Sequence, residues 1–75
     1  MADKTLDVKG LNCPLPLFRA RKALREVPPG GTLEILATDP GSLADFEAFC
    51  AGADAELVES SASAGVYRLL IKRMA

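Results

Sequence analysis

The residues of this chain that could do chemistry lie in one short stretch, residues 10–18, which reads GLNCPLPLF. Cys13 stands directly before Pro14, and Pro16 follows two positions later. A proline suits the first position of a helix, and it holds the residue before it in an extended conformation. Because the unpaired N–H groups and the dipole at a helix N-terminus stabilise a thiolate, a cysteine in this place is typical of a reactive thiol.

The residue at position 16 distinguishes this stretch from the redox motif C-x-x-C. In that motif the fourth residue is a second cysteine, which attacks any sulfur attached to the first; here it is Pro16. A sulfur atom on Cys13 would meet no second thiol in the first turn, so the pattern favours a stored persulfide over a disulfide. The two prolines leave the amides of Leu15 and Leu17 as donors, which predicts a moderate activation of the thiolate. The simpler interpretation, in which Cys13 is only a helix cap, competes with this one.

The composition excludes several other kinds of chemistry. The chain has no histidine, so Cys13 has no imidazole base and a zinc site has too few ligands. We therefore expect neither a metal nor a cofactor. With 75 residues, the chain is expected to form one domain over residues 1–75. Two distant cysteines, and the lack of a signal peptide or an apolar run of about 20 residues, predict a cytoplasmic protein that does not act in a membrane.

The first half of the chain reads as strand, helix and strand. Residues 5–9 alternate between apolar and polar side chains, as a half-buried strand does. A helical pattern then runs from Pro14 to about residue 26 or 27, where the sequence PPGG stops it. Residues 32–38 alternate again and predict the second strand.

The second half reads as a helix and a hairpin. The helix is expected to end near Gly52, and two caps are possible at its start: Asp39 before a proline, or Ser42 with Asp45 in a capping box. The segments AELVES and VYRLLIKRM are predicted to pair as a hairpin, with SASAG, residues 61–65, as its turn.

This order of elements predicts an α/β (α+β) two-layer sandwich. A strand-helix-strand crossover makes the first two strands parallel, whereas the final hairpin is antiparallel. The resulting βαβαββ fold has a four-stranded mixed sheet with both helices on one face. Polar positions of the strands then belong to the face that no helix covers.

The predicted first helix has a basic side that could dock a partner. This side lies opposite the apolar stripe and includes one aromatic residue. A solvated face is the usual meaning of such a set, but next to a reactive thiol it would also suit an acidic protein or an anionic sulfur donor. RNA is disfavoured as a direct partner, because the pI is near 5.2 and no strand carries an aromatic cluster. The hypothetical docking surface consists of Phe18, Arg19, Arg21, Lys22 and Arg25.

The second cysteine, Cys50, is predicted to be structural. On the helical wheel it lies in the middle of the buried arc, among Leu43, Phe46, Phe49 and Ala53. A buried cysteine behaves as a small, unreactive apolar side chain. A role as a resolving thiol is the less favoured alternative.

Taken together, these features resemble a known family. The segment LDVKGLNCPLPLFRARKAL is similar to the TusA-like sulfur-carrier (sulfurtransferase) proteins, whose hallmark is C-P-x-P at the start of the first helix, after a short strand and a Gly-Leu dipeptide. The PPGGTL segment, the Asp39-Pro40 dipeptide and the apolar last strand also fit this family. The resemblance covers nearly the whole chain.

The resemblance implies a function for each residue of the motif. Cys13 would carry a sulfane sulfur as a persulfide, with Pro14 and Pro16 shaping the start of the helix and Gly10 and Leu11 leading into it. The sulfur would come from a donor protein, such as a cysteine desulfurase or a rhodanese, and pass to an acceptor protein. Relays of this kind serve tRNA thiolation, molybdenum-cofactor synthesis or sulfur oxidation. The alternative is a non-catalytic interaction or redox-sensing module that uses the basic helix.

Overall fold

The computed structural model describes residues 3–12, 15–52 and 55–74. The elements follow the predicted βαβαββ order. They are β1 (Lys4–Val8), α1 (Leu15–Arg25), β2 (Thr32–Ala37), α2 (Ser42–Gly52), β3 (Ala55–Ser63) and β4 (Val66–Arg73).

The four strands form one mixed sheet in the order β1-β2-β4-β3. β1 and β2 are parallel, and β4 is antiparallel to both β2 and β3. The last strand of the chain therefore lies inside the sheet, between two strands that precede it. Its strongly apolar sequence fits this place, because a central strand has a neighbour on each side and a helical layer over one face.

The core lies between one face of the sheet and the two helices. Leu33 and Ile35 of β2 face Ile71 and Leu69 of β4 in the antiparallel register, and all four side chains are buried. Phe46 of α2 is fully buried against this layer. Ala20, Ala23 and Leu24 bring α1 onto the same core. Both helices thus lie on one face of the sheet, as the sequence predicts.

The other face of the sheet carries a charged network. The Arg68 guanidinium bridges the carboxylates of Glu34 and Glu59, the second at 3.1 Å. The hydroxyl of Thr5 also donates a hydrogen bond to Glu34 Oε1, at 3.2 Å. The pKa of Glu34 is lowered, chiefly because Arg68 donates a hydrogen bond to its ionised form.

The turn of the hairpin is shorter than the sequence predicts. β3 continues to Ser63, and only Ala64 and Gly65 connect it to β4. Both residues have positive φ, 52° and 80°, as the central positions of a type I′ turn require. Two-residue turns of this kind match the twist of paired strands, so the pairing with β4 continues through Ala62 and Ser63 despite their low strand propensity.

One of the two caps that the sequence predicts for the start of α2 does not form. The hydroxyl of Ser42 is buried without a hydrogen-bond partner in the described structure, so the predicted capping box with Asp45 does not form. Asp39 instead organises the turn before the helix. Its Oδ1 accepts a hydrogen bond from the Gly41 amide at 3.3 Å, and its carbonyl accepts one from the Ser42 amide at 3.0 Å.

Candidate functional site

The predicted nucleophile Cys13 and its neighbour Pro14 lie outside the described residues. The chain on either side of them is described, and both sides are held by hydrogen bonds. Gly10 has φ of +84°, a conformation that favours glycine, and its amide donates to Thr38 Oγ1 at 2.9 Å. The Leu11 amide donates to the Val8 carbonyl at 3.2 Å, which closes the turn after β1.

The Gly10–Thr38 bond joins the two loops that lead into the helices. Because β1 and β2 are parallel, their carboxyl ends lie at the same edge of the sheet, and the loops to α1 and α2 both leave from this edge. Thr38 follows β2 directly and precedes the turn into α2. The segment that leads to Cys13 therefore leaves from the sheet edge where the α2 loop also begins.

The first turn of α1 offers fewer free amides than the sequence suggests. The Leu15 amide, predicted to be available, donates to the Asn12 carbonyl at 2.9 Å. Pro16 is buried, so its ring packs into the protein in addition to shaping the helix start. Of the two amides that the sequence leaves as possible donors to a thiolate, that of Leu15 is therefore already bonded.

The hypothetical docking surface is exposed. Phe18 is 57% exposed, although aromatic side chains of this size are usually covered in a small domain. None of its four basic side chains forms an ion pair with a carboxylate among the described residues. We call this set the α1 surface; it consists of Phe18, Arg19, Arg21, Lys22 and Arg25, all exposed.

One exposed apolar residue beside this surface was not predicted. Leu15 is 49% exposed in the first turn of α1. Its spacing to Phe18 and Lys22, three and seven residues, places the three side chains on one side of the helix. This spacing could have identified Leu15 from the sequence. The α1 surface thus has an apolar neighbour at the end closest to the motif.

The far end of α1 is fixed by β4 and β1. Arg73 Nη1 donates to the carbonyls of Val27 at 2.6 Å and Arg25 at 3.3 Å, so a cation satisfies carbonyls that the helix leaves unpaired. Lys4 of β1 forms an ion pair with Glu26, and this contact lowers the pKa of the Glu26 carboxyl. These contacts hold the helix that carries the α1 surface in a fixed place on the sheet.

Cys50 is buried, as the sequence predicts, whereas Leu43, which the helical wheel placed in the same buried arc, is exposed because it lies at the edge of that arc. Its side chain belongs to the core cluster and is 7% exposed. Burial raises the pKa of the thiol, because the thiolate would lose its solvation. A neutral, buried thiol is a poor nucleophile, so Cys50 is unsuited to carry or resolve a persulfide in the folded protein.

None of the helices in the described ranges has the length and apolar composition that crossing a bilayer requires.

Comparison with known proteins identifies the class to which this fold and motif belong. The family described as "Sulfurtransferase TusA" matches residues 4–73. The chain belongs to the TusA sulfurtransferase family, as the resemblance in its sequence predicts.

Individual relatives are similar over almost the whole chain. The chain is 48% identical over 71 residues to the "Sulfur carrier protein TusA" of Allochromatium vinosum, across 95% of this chain and 93% of the relative. It is 44% identical over 71 residues to the protein of the same name from Pseudomonas fluorescens, across 95% and 86%. The crystal structure of a SirA-like protein from Desulfitobacterium hafniense has a TM-score of 0.72 and 28% identity, across 96% and 99%.

Proposed function

We propose that this protein is a cytoplasmic sulfur carrier, a single domain over residues 1–75, in which Cys13 holds a sulfane sulfur as a persulfide. Membership of the sulfurtransferase family and near-full-length similarity to proteins named as sulfur carriers support this function. One structural observation supports Cys13 as the residue that carries the sulfur. Of the two cysteines, Cys50 is buried in the core, which leaves Cys13 in the C-P-x-P motif as the thiol for transfer.

The transfer consists of two substitutions at sulfur that balance without an oxidant or a reductant. The Cys13 thiolate attacks the outer sulfur of a persulfide on the donor protein. A new S–S bond forms at Cys13, the S–S bond of the donor breaks, and the donor cysteine leaves as a thiolate. In the second step a thiolate of the acceptor attacks the outer sulfur on Cys13, and Cys13 leaves as a thiolate. The protein is therefore loaded and discharged once per cycle.

The thiolate of Cys13 is stabilised mainly by the N-terminus of α1. The chain has no histidine that could act as a base, and the amide of Leu15 is already bonded to Asn12. The dipole at the N-terminus of α1 then provides the stabilisation. We expect a thiol pKa moderately below the value of about 8.5 for free cysteine.

A partner protein of the relay docks beside this thiol. The α1 surface is exposed, basic and next to the motif in sequence, so it suits a partner protein with an acidic surface. Phe18 and Leu15 provide apolar contacts of the kind found at the centre of protein interfaces. Charge on this surface is expected to affect the rate of encounter more than the chemistry of transfer.

The experiment that tests the carrier chemistry is mass spectrometry without reductant after incubation with a cysteine desulfurase and cysteine. We expect a gain of one sulfur that maps to Cys13, is absent in Cys13→Ser, and is removed by a reducing agent. Cys50→Ala is the matched control and should load normally. No gain of sulfur with several donors, while Cys13 still reacts with an alkylating agent, would indicate the interaction module instead.

A second experiment tests the docking surface. Arg21→Glu with Arg25→Glu should slow the loading step at least tenfold and leave the fold intact, because both side chains are exposed and form no ion pair among the described residues. The control is Lys72→Glu in β4, which is compared with Arg21→Glu alone so that both variants change the charge equally. If these two single variants load at the same reduced rate, net charge and not the α1 surface controls docking.

A further inference from the structure

The second helix has an outer side that differs from the outer side of a typical surface helix. Apart from Gly52 at the end of the helix, five of its residues are exposed; four of them are apolar, and the fifth is acidic. Their spacing at i, i+1, i+4, i+5 and i+8 places them within one continuous face. This α2 outer face consists of Leu43, Ala44, Glu47, Ala48 and Ala51, and Leu43 is 38% exposed.

An apolar outer face on a helix whose inner face is already buried is unexpected for a carrier that acts alone. Phe46 and Cys50 already anchor α2 to the core. A surface helix normally turns charged residues outward, and a helix that is apolar on all sides is normally covered. The small side chains of Ala44 and Ala48, one turn apart, let another helix approach closely.

The charge around α2 has the opposite sign to that around α1. Residues 26–67 contain no lysine or arginine. Glu47 lies on the face itself, Asp45 lies in the first turn of α2, and Asp39 shapes the turn before it. The α1 surface, in contrast, carries four basic side chains. The two helices thus present surfaces that attract different partners.

Both surfaces belong to helices that start from the same edge of the sheet. The bond between Gly10 and Thr38 links the loop that leads to Cys13 with the loop that leads to α2. A protein docked on either helix can therefore reach this edge. A carrier that is loaded by one protein and discharged by another must recognise two partners, and surfaces of opposite charge separate them.

We propose that the α2 outer face is a second docking surface, which binds a partner protein through a basic amphipathic helix. Lysine or arginine of that helix pairs with the acidic groups around Glu47, and its apolar side packs on Leu43 and the alanines. This inference rests on the proposed carrier function in one respect, which is that a carrier needs a second partner. The surface itself does not involve Cys13. The α1 surface then receives the acidic partner of the relay.

The test uses two synthetic 18-residue helical peptides, one of leucine and lysine and one of leucine and glutamate. Each is titrated into the ¹⁵N-labelled full chain carrying Cys13→Ser, so that binding is measured without sulfur chemistry. We expect the lysine peptide to shift the amide signals of α2 and the glutamate peptide to shift those of α1. Glu47→Lys and Ala48→Arg should each weaken the lysine peptide at least tenfold.

The matched control is Glu56→Lys, which makes the same change of charge in β3 and should alter the affinity less than twofold. Thermal unfolding verifies that each variant is folded. Two variants on the α2 outer face are used so that the test can still be made if one of them does not fold. The inference is overturned if Glu47→Lys and Glu56→Lys weaken the lysine peptide equally. It is also overturned if that peptide shifts mainly the sheet face around Glu34 and Glu59. Because Cys13 is absent from this assay, failure of the carrier chemistry would leave its outcome unchanged.

Discussion

Replacement of Ala64 at the tip of the hairpin should stabilise the protein. Ala64 has φ of 52°, in the left-handed region, where its Cβ lies too close to the following carbonyl. This conformation costs an L-residue about 1–2 kcal/mol. Glycine removes that cost but adds about 0.5–1 kcal/mol of backbone entropy lost on folding. The difference predicts a net stabilisation by Ala64→Gly of about 0.5–1 kcal/mol.

Asparagine at position 64 should stabilise the hairpin at least as much as glycine does. Its short polar side chain tolerates the left-handed region, and it does not share the large backbone entropy of glycine in the unfolded chain. Followed by Gly65, it would form the Asn-Gly pair preferred in type I′ turns. We expect a gain of about 1 kcal/mol, which corresponds to about 4–8 °C in Tm for a domain of this size.

Urea unfolding monitored by circular dichroism measures these differences. The matched control is Ala62→Gly, the same exchange two residues earlier, where Ala62 pairs with Tyr67 in the sheet and has no left-handed conformation to relieve. It should destabilise the protein by about 0.5–1 kcal/mol. Equal destabilisation by Ala62→Gly and Ala64→Gly would refute the assignment of strain to the turn.

Three further predictions concern the cation at the end of α1, the ion pair on the sheet and the buried thiol. Arg73→Met keeps the apolar stem of the side chain but removes the guanidinium from the Val27 carbonyl, so urea unfolding should show a loss of about 1–2 kcal/mol; an unchanged midpoint would show that the cap is dispensable. Because the folded state lowers the pKa of Glu34, the stabilisation by Arg68 is present above the ordinary value of 4.5 and is lost as the pH falls below it. In Glu34→Gln, the free energy of unfolding should therefore fall less steeply as the pH is lowered below 4.5. If it falls as steeply as in the unmodified protein, other carboxyl groups cause the loss of stability in acid. In a Cys13→Ser chain, Cys50 should resist iodoacetamide until urea unfolds the protein, and rapid alkylation of the native chain would contradict its burial.

The order of the elements could be predicted because each one has a clear local pattern. Apolar and polar side chains alternate in β1 and β2, as expected for a sheet that is covered on one face. The apolar residues of α1 recur at the spacing that puts them on the side facing the core. The C-P-x-P stretch was recognisable for the same reason, since a cysteine followed by proline at a helix start is a local signal. The burial of Cys50 followed from its place on the helical wheel of α2.

Features that depend on distant parts of the chain could not be predicted. The cap on α1 is provided by Arg73, 48 residues after Arg25. The length of β3 depends on its pairing with β4, and its Ser- and Ala-rich end reads locally as a turn. The Leu15 amide was expected to be free because its acceptor, the Asn12 carbonyl, is backbone and leaves no trace in the sequence.

The central place of β4 has a consequence for the synthesis of this protein. Translation delivers β1, α1, β2, α2 and β3 first, but β2 and β3 do not touch each other in the sheet, since β4 lies between them. The ribosome must therefore release residues 66–73 before the sheet can close, and until then β3 and the edge of β2 that faces away from β1 have no strand to pair with. The ribosome releases residues 10–18 early, whereas the contacts of Arg73 with the end of α1 form only after the last strand has been inserted.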